Sequence, residues 1–598
     1  MAPRATRAGT AASKETNDAK PSAKVTKATA APAKAKATTA KAAPKATKAK
    51  AAPKAAAKPA PKTKAQPKKE ATPKPTTTKK AAAPKKAAGG KKAAEKVSAP
   101  KKNVNGKRPI EDEDKDEAEV KEDVSEEPAA RPIKRARVTT TPGPTGFHKQ
   151  VALRRRKRNV VANPVPSDPL DVFVFGEGSS GELGLGSKKH EGKKPIDVKR
   201  PRINHNLDAE KTKIVDIACG GMHVVALTQD NRVLTWGVND DKALGRDTNW
   251  SGGVRDVDAE DSDSEDEDDT GVNPRESTPG EIEKGDLQDG DIICKVAATD
   301  SASFVLTQDG FVYGWGTFRG ADGIIGFAEG IRVQPTPMLI APLQDITELA
   351  CGSNHVLAKD VNGKVWTWGS GGQYQLGRKP ITRHGGPTAT LRPEPCGMFG
   401  KRHYAVSIAA GSYHSFYIDN AQRVWSWGLN NYAQTGHYDD TGKDDAMVLQ
   451  PKMVESLEDA KVESIVGGEH HSVACTSEGR VLTWGRVDGH QVGQPADLFN
   501  EDNAVFDENK RPRILLTPSR VPDIDAKFVA AGVDTSFIID KEGRVYSWGF
   551  SANYQTGQGT TDDIEVPTLI DNSAIRDREM VWAGAGGQYS IVAAKHDS

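Results

Sequence analysis

Apolar and polar positions alternate along short stretches that close on Trp-Gly, and this pattern recurs from residue 171 onward. The clearest copy is Val365-Trp-Thr-Trp-Gly369, and a degenerate first copy runs through Phe175-Gly176. Strict alternation is typical of a strand with two different faces. Seven copies make an internal repeat, which predicts a repetitive fold. The other five copies end at Gly237, Gly316, Gly428, Gly485 and Gly549.

A second marked position lies fourteen residues before the Trp-Gly glycine in six copies. A small residue, usually glycine, stands three residues before it. Turn sequences such as Asn362-Gly363 and Glu478-Gly479 separate it from Trp-Gly, as a tight hairpin requires. Each copy is therefore predicted to be a small antiparallel sheet. The marked positions are His223, Ala302, His355, His414, His471 and Thr535.

The length of the repeat predicts the architecture. Residues 171–598 divided among seven units give about 61 residues each, enough for a four-stranded sheet with its loops. The first unit begins at its Trp-Gly half, and the missing half stands at the other end, in residues 585–594. We therefore expect an all-β, seven-bladed β-propeller over residues 159–598, closed by pairing of its N- and C-terminal strands, which removes exposed sheet edges.

Charge divides the chain into a basic arm and an acidic body. Residues 1–102 hold 28 Lys or Arg against 4 Asp or Glu, and the net charge from residue 159 onward is −24. Such a Lys/Ala/Pro-rich arm cannot bury enough apolar surface to offset the entropy of ordering. We expect residues 1–158 to be a disordered tail with an acidic spacer at 111–127, and the arm to bind DNA phosphates without reading sequence.

Cysteines and histidines give no sign of a metal site or of secretion. The five cysteines lack Cys-x-x-Cys spacing, and their odd number without a signal peptide favours a reducing compartment. The four marked histidines are expected to be structural, each bonded to neighbouring backbone, because one per unit places them around a ring. No apolar run is long enough to cross a membrane, so no membrane partner is expected.

These motifs resemble the regulator of chromosome condensation family, as a fungal-like or other eukaryotic member with a long basic tail. The resemblance covers residues 171–598 and includes Gly221-Met-His223, Asn239–Arg246 and Trp315–Arg319. It implies a seven-bladed propeller that acts as a guanine-nucleotide exchange factor for the nuclear GTPase Ran. Such a protein is not an enzyme in the bond-making sense, and it needs no cofactor because Mg²⁺ and GDP or GTP belong to the GTPase.

The repeat is broken in places where function is expected. In the third unit the glycine after Trp-Gly comes two residues late, at Gly326, which predicts a protruding hairpin over residues 318–326. The same unit has Asp300 beside its marked position, and His470 precedes the marked histidine of the sixth unit. The resemblance places the exchange face on these breaks. Its residues are Asp300, Phe318, Arg319, Asp322, Gly323, Ile324, Arg378 and His470.

Two substitutions depart from the family pattern. Asn354 stands where the family commonly has Asp, and Tyr589 stands where the last unit would have its histidine. These departures leave the size of the exchange activity open.

Basic clusters outside the repeat predict chromatin contact and nuclear import. Residues 131–138 and 154–158 are candidate signals for nuclear import receptors, and a Gly- and Pro-rich loop at 379–402 resembles a nucleosome-binding loop of the family. We expect a nuclear, chromatin-associated protein whose partners are Ran, DNA and nucleosomal histones. The chromatin-binding candidates are Arg154, Arg155, Arg156, Lys157, Arg158, Arg383 and Arg392.

An acidic insert interrupts the second unit at about residues 256–280. Residues 256–269 contain ten carboxylates in fourteen positions, with Ser262 and Ser264 among them. We interpret it as a disordered, solvated loop with possible sites for acidophilic kinases.

The repeat alone does not specify exchange activity. A chromatin-bound propeller scaffold without exchange activity is the main alternative function. A ligase or kinase accessory module is a third, disfavoured because no catalytic domain flanks the propeller.

Deleting residues 1–102 should weaken binding to DNA and nucleosomes and flatten its salt dependence. The reason is that the salt slope follows the number of phosphates neutralised, at about −0.9 for each in duplex DNA. Filter binding or anisotropy at several salt concentrations measures this, with GDP release from free Ran as the control that should stay unchanged. Equal affinity and equal slope with and without the arm would refute the assignment.

Overall fold

A computed structural model describes residues 161–251, 270–379, 386–397 and 399–596 of the chain. The predicted tail and the acidic stretch 256–269 lie outside these residues. So do Arg154, Arg155, Arg156, Lys157, Arg158 and Arg383.

Thirty strands occur among the described residues. They are β1 Leu170–Gly176, β2 Val198–Ile203, β3 Ile214–Cys219, β4 His223–Thr228, β5 Val233–Gly237, β6 Gly280–Glu281, β7 Ile293–Ala298, β8 Ala302–Thr307, β9 Val312–Gly316, β10 Phe318–Gly320, β11 Gly323–Gly326, β12 Gln334–Leu339, β13 Ile346–Cys351, β14 His355–Asp360, β15 Val365–Gly369, β16 Glu394–Pro395, β17 Ala405–Ala410, β18 His414–Asp419, β19 Val424–Leu429, β20 Met447–Met453, β21 Val462–Gly467, β22 His471–Thr476, β23 Arg480–Arg486, β24 Ala504–Phe506, β25 Pro512–Ala531, β26 Thr535–Asp540, β27 Val545–Gly549, β28 Ile564–Leu569, β29 Met580–Ala585 and β30 Tyr589–Lys595. The one α-helix of the described residues, α1, spans Pro274–Ser277, and 3₁₀ turns occur at His205–Leu207, Gly386–Leu391, Glu455–Leu457 and Ala496–Leu498.

These strands form seven four-stranded antiparallel units, as the repeat predicts. From the innermost strand outward the units are β29-β30-β1-β2, β3-β4-β5-β6, β7-β8-β9-β12, β13-β14-β15-β16, β17-β18-β19-β20, β21-β22-β23-β25 and β25-β26-β27-β28. The long strand β25 is shared by the sixth and seventh units. Each innermost strand contacts the next around the ring, and β29 returns to β3. The innermost strands line a central channel of about 270 Å³.

The two ends of the described chain share the first unit, so the predicted closure is confirmed. β1 pairs antiparallel with β30 through seven consecutive residue pairs, from Leu170 opposite Lys595 to Gly176 opposite Tyr589. Asp171 accepts ion pairs from Arg578 and from His596 beside this seam. Because main-chain hydrogen bonds join β1 to β30, neither strand has an exposed edge at this seam.

Each marked histidine joins its own unit to the next one. The Nε2 atom of His355 lies 2.8 Å from Ser415 Oγ of the following unit. Ser415 Oγ in turn donates to the carbonyl oxygen of Gln375, which also accepts a hydrogen bond from Trp427 Nε1 at 2.8 Å. We call this arrangement of histidine, serine, carbonyl and tryptophan the clasp. Complete clasps begin at His223, His355, His414 and His471.

The partner of each histidine differs from the prediction. We expected a bond to neighbouring backbone, but the imidazole instead meets a serine side chain one unit away. The serine is the residue after the marked position of the next unit, where it is buried and can also reach a carbonyl. A buried imidazole needs such a partner because an unpaired polar group in the interior costs about 1–3 kcal/mol.

The clasp explains the two glycines of the repeat. A Cβ atom at Gly352 would lie 2.2 Å from Cε1 of His355, so the imidazole covers the glycine three residues before it. A Cβ at Gly377 would lie 2.8 Å from Nε1 of Trp427 in the next unit, and φ there is +62°. Side chains at either position would displace the ring that closes the interface.

Three interfaces depart from the complete clasp. Between the first and second units, Tyr589 replaces histidine and its hydroxyl donates to the carbonyl oxygens of Gly220 and His223 at 3.0 and 2.7 Å. Between the seventh and first units, Thr535 stands at the marked position, and Ser590 still donates to Gln555. Between the third and fourth units, Ala302 replaces histidine and a hairpin fills the interface instead.

Part of the predicted insert is ordered. Residues 270–280 belonged to the expected loop, yet α1 begins after Asn273, whose side chain caps the N–H of Arg275. Gly280 and Glu281 then pair with β5 as the outer strand of the second unit. Asparagine at the cap and proline at the first position favour a helix start, which explains the difference.

Removing residues 584–598 should cause aggregation or a large drop in melting temperature, because β1 would lose the strand that fills one of its edges. Light scattering and thermal denaturation measure this. Removing Asp597 and Ser598 alone is the matched control and should change neither. A monomeric truncated chain with normal melting would show that the seam is dispensable.

The clasp histidines should make the protein less stable as the pH is lowered. Burial lowers the pKa of His223 and His471 to about 4 and that of His355 to about 3, and it lowers the pKa of His414 well below its usual range. Unfolded histidines titrate near about 6.5. Between that value and about 4 the unfolded chain binds the extra protons, so the free energy of unfolding decreases as the pH falls.

Replacing one clasp histidine should reduce this pH dependence. His414→Gln should lower stability at pH 7, and the decrease in free energy of unfolding between pH 6 and 5 should become smaller by about 1 kcal/mol, for one proton fewer. Urea unfolding at both pH values measures this. His148→Gln, outside the propeller repeats, is the control. An unchanged pH slope in the clasp variant would mean that His414 does not remain neutral in the fold.

Candidate exchange face

The repeat is broken in two kinds of loop, the one before the second strand of a unit and the one after the third strand, and both lie on one face of the ring. Because the marked position pairs with the Trp-Gly glycine, as in His355 opposite Gly369, the loop before the second strand and the loop after the third strand emerge together. We call this side the loop face. Main-chain hydrogen bonds link its inner loops from unit to unit, including Asp300 N–H to Ser353 O at 2.8 Å and Glu469 N–H to Val533 O at 2.8 Å.

The predicted hairpin of the third unit is present on this face. β10 and β11 pair antiparallel, with Phe318 opposite Gly326 and Gly320 opposite Gly323. Ala321 and Asp322 form the exposed tip. Gly323 has φ +102°, and a Cβ atom added to it would meet no other atom within 4 Å. Glycine is therefore favoured here by the backbone conformation of the turn and not by lack of space. The insertion therefore makes a two-stranded projection instead of a lengthened loop.

Phe318 anchors the hairpin and does not present a surface. Its side chain is fully buried, and its ring lies 6.1 Å from that of Phe304 and 6.0 Å from that of Phe327. The assignment of Phe318 to a partner-contacting role is therefore wrong, because a fully buried ring cannot reach a second protein. Phe318 instead packs the interface where the clasp is missing.

Gly326 also differs from the repeat glycine that we matched it to. A Cβ at Gly326 would meet Ile331 and Leu391, whereas the corresponding glycines of the first, second, fourth and sixth units lie against the tryptophan of the next unit. The two-residue insertion thus replaces the usual glycine–tryptophan contact at this interface with the packing of a separate hairpin.

Arg319 is fixed at the base of the hairpin by two neighbouring units. Its guanidinium meets Asp241 of the second unit through Nε at 2.6 Å and Nη2 at 3.0 Å, while its N–H donates to Asn354 Oδ1 of the fourth unit at 2.8 Å. The ion pair raises the pKa of Arg319. Although burial opposes it, the same pair holds the pKa of Asp241 below its usual range. A bidentate pair of this kind fixes orientation as well as charge.

Asn354 connects the hairpin to Asp300. Its Oδ1 accepts from the Arg319 N–H, and its Nδ2 lies 3.4 Å from Asp300 Oδ2. A side-chain amide offers both an acceptor and a donor, whereas an ionised carboxylate offers acceptors alone, so the departure from the family's Asp has a structural consequence. An aspartate here would place two carboxylates side by side.

Asp300 stands at the mouth of the central channel. The residue is exposed, but the surrounding loops displace water from its carboxyl group. This desolvation raises the pKa of Asp300 to about 6, against a hydrogen bond from Ser353 and with help from the negative charge of Glu469. A positively charged group brought near Asp300 would lower this pKa again and stabilise the ionised carboxylate.

His470 lies in a second polar cluster of the loop face. Its ring centroid is 4.9 Å from that of Tyr432, and its Nδ1 is 3.4 Å from Gln434 Nε2. Burial lowers the pKa of His470 to about 4, and the positive charge of Arg486 acts in the same direction. This cluster also contains Asp488, which pairs with Arg486 at 3.0 Å. His470 therefore acts as a neutral ring at physiological pH.

Arg378 belongs to the scaffold. It donates to Thr367 through Nε and Nη2 and to Glu394 through Nη1 at 3.0 Å, and its side chain is only 10% exposed. Arg246 makes the same bonds to Thr235 at the equivalent position of the second unit. The assignment of Arg378 to the exchange face is thus wrong, because the repeat already uses its donors internally.

The remaining predicted residues are placed as follows. Ile324 is half-buried on β11, and Asp322 makes no side-chain hydrogen bond with the described residues. Arg392 is exposed beside the 3₁₀ turn of the loop at 379–402. The structure thus brings together Asp300, Arg319, Asn354 and Asp241, of which sequence reasoning missed the role of Asp241.

Two absences apply to the described part of the chain. Within residues 161–251, 270–379, 386–397 and 399–596, no three His, Cys, Asp or Glu side chains are grouped closely enough to hold a metal ion. The same residues contain no helix with the length and apolar character of a membrane span.

The ring of four-stranded units defines a β-propeller, and comparison with known proteins identifies its family. A model described as the RCC1-like domain matches residues 171–592. The chain belongs to the RCC1-like family.

Named relatives support this membership. The chain is 38% identical over 430 residues to "Guanine nucleotide exchange factor SRM1" of Saccharomyces cerevisiae, covering 71% of this chain and 87% of that protein. A crystal structure of Prp20p from the same yeast, characterised for its binding to Gsp1p and histones, superposes with a TM-score of 0.64 at 36% identity and covers 73% of this chain and 93% of that one. Yeast RCC1 (Prp20) in complex with Kap60 matches with a TM-score of 0.64 at 34% identity, covering 78% and 97%.

Proposed function

We propose that this chain is a guanine-nucleotide exchange factor for the GTPase Ran and that its third-unit hairpin acts on the nucleotide site. The observation that carries this function is the rigid hairpin at the interface without a clasp, in a chain 38% identical to a protein named as an exchange factor. A projection anchored by Phe318 and tied by Arg319 to two neighbouring units is preorganised, so little ordering entropy is lost on binding.

The exchange needs no bond to be made or broken in the propeller. Its charged loop face would stabilise the GTPase in a nucleotide-free state, with Asp300, Arg319, Asp322 and His470 as the contact residues of this chain. Asp322 presents a carboxylate at the tip, where it would disfavour a nearby phosphate. The Mg²⁺ and the guanine nucleotide belong to the GTPase, and the direction of exchange follows the cellular excess of GTP over GDP.

The proposed partners follow from the relatives. Prp20p was characterised for binding to Gsp1p, a Ran GTPase, and to histones, and yeast RCC1 was crystallised with Kap60. We infer that this chain likewise binds Ran, histones and an import receptor, and that it works in the nucleus on chromatin. The basic tail, with Arg154, Arg155, Arg156, Lys157 and Arg158, would add DNA contacts, and Arg383 and Arg392 would lie at the nucleosome-facing loop.

Replacing Arg319 and Asp322 with Ala should slow release of labelled GDP from Ran at least tenfold, equivalent to about 1.4 kcal/mol of lost transition-state stabilisation. The melting temperature should stay within a few degrees, because both side chains are exposed. Stopped-flow fluorescence of a labelled nucleotide gives the rate.

A matched control is the pair Glu542→Ala and Arg544→Ala. It removes another exposed acid and another Arg–Asp pair, Arg544 with Asp540. Both residues lie in the turn between β26 and β27 of the seventh unit, at the end away from the loop face. The control should release GDP at the wild-type rate. A wild-type rate in the hairpin variant would remove the hairpin from the mechanism. If the intact chain also left Ran unchanged, the scaffold function would replace exchange.

A further inference from the structure

A basic pocket lies on the first unit, and none of the proposed exchange residues lines it. Its cavity of about 160 Å³ contains a single carboxylate, that of Glu191, among its lining residues. The apolar lining comes from Leu185, Pro195 and Ile203. We call this cavity the basic pocket after its cationic and imidazole side chains, which are Lys188, His190, Lys193, Arg202 and His205.

The pocket is built by a tight turn over the outer strand β2. The N–H groups of His190 and Lys193 donate to each other's carbonyl oxygens at 3.1 and 2.9 Å, and Gly192 has φ +72°. The imidazoles of His190 and His205 stack with centroids 3.8 Å apart and planes 7° from parallel. The turn therefore holds His190 and Lys193 over the cavity in a fixed arrangement.

Arg202 has unused capacity to bind an anion. Its Nη2 donates to the carbonyl oxygen of Lys194 at 2.7 Å, whereas its Nε is buried without a hydrogen-bond partner. Burial lowers the pKa of His205, and the charges of His190 and Arg202 lower it further, against the effect of Glu191. A positive local potential together with an unsatisfied cationic donor favours a carboxylate or phosphate ligand.

The chain itself delivers an acidic segment to the edge of this pocket. The stretch 256–269, with ten carboxylates in fourteen residues, ends directly before Thr270. The N–H and Oγ1 of Thr270 both donate to the carbonyl oxygen of Ser187, at 2.9 and 2.8 Å. Ser187 is the residue before Lys188, so Thr270, the first described residue after the acidic stretch, is held next to the first lysine of the pocket.

The other end of the gap is held close by. Asn273 Nδ2 donates to the carbonyl oxygen of Thr248 at 2.9 Å, which ties the segment before the gap to the segment after it. Residues 252–269 could extend about 3.3 Å each, so their length does not limit reach. A short tether gives the acidic stretch an effective concentration in the millimolar range.

We propose that the acidic segment 256–269 binds within the same molecule to the basic pocket of the first unit. Its carboxylates would pair with the positive charges of Lys188, Lys193 and Arg202. This contact joins the second unit's loop to the first unit and is independent of the exchange function.

Lysine footprinting of the full-length chain tests the proposal. A variant with Asp→Asn and Glu→Gln at all ten acidic positions of 256–269 leaves the pocket without its ligand. Acetylation of Lys188 and Lys193, followed by mass spectrometry, should be at least threefold slower in the wild type than in this variant. At about 1 M salt the difference should vanish, because the Debye length is then about 3 Å. Lys461 and Lys510 on the sixth unit are the internal controls and should react equally in both chains.

Carbodiimide cross-linking of the wild-type chain provides a second readout that needs no variant. Amide links between residues 256–269 and Lys188 or Lys193, found in the monomeric fraction, are expected. Equal acetylation rates in the two chains would overturn the proposal. Cross-links from the acidic segment only to the basic tail would also overturn it, and links found only in covalent dimers would assign the pocket to a second copy.

Discussion

A buried imidazole that reaches the serine of the next unit is the interaction on which the ring depends. In His414, Ser472, the carbonyl of Gln434 and Trp484, one hydrogen-bonded chain crosses the interface between two sheets. The strict spacing of the repeat follows from it, because the imidazole of His414 lies against Gly411, where a Cβ atom would lie 2.2 Å from Cε1 of the ring. Sheets that would otherwise meet only through apolar faces are thereby held in a defined register.

The interface that lacks the clasp is also the one that carries the hairpin. With Ala302 at the marked position, no imidazole crosses from the third unit to the fourth, and Phe318 and Phe327 pack the space instead. The hairpin then gains polar ties on both sides, to Asp241 and to Asn354. A rigid projection thus occurs where the repetitive packing has been replaced, which is consistent with local rules failing at functional sites.

The sequence predicted the units, their closure and the hairpin, because each of these depends on local periodicity. Contacts across units were harder to predict. Serine follows the marked position in Ser415 and Ser472, which was a visible signal, but nothing in a single chain shows that it meets a histidine about 60 residues earlier. Arg378 was misassigned for a related reason: its partners, Thr367 and Glu394, become apparent only once the outer strand is in place.

Thermodynamic linkage provides a direct way to ask whether the loop face stabilises nucleotide-free Ran. If the chain weakens GDP binding by some factor, GDP must weaken binding of the chain by the same factor. Titration of the full-length chain into Ran, with and without saturating GDP, measures this. We expect tight binding to nucleotide-free Ran and a loss of affinity with GDP that equals the loss of GDP affinity caused by the chain. Equal affinity for the two forms of Ran would contradict exchange and leave only a scaffold.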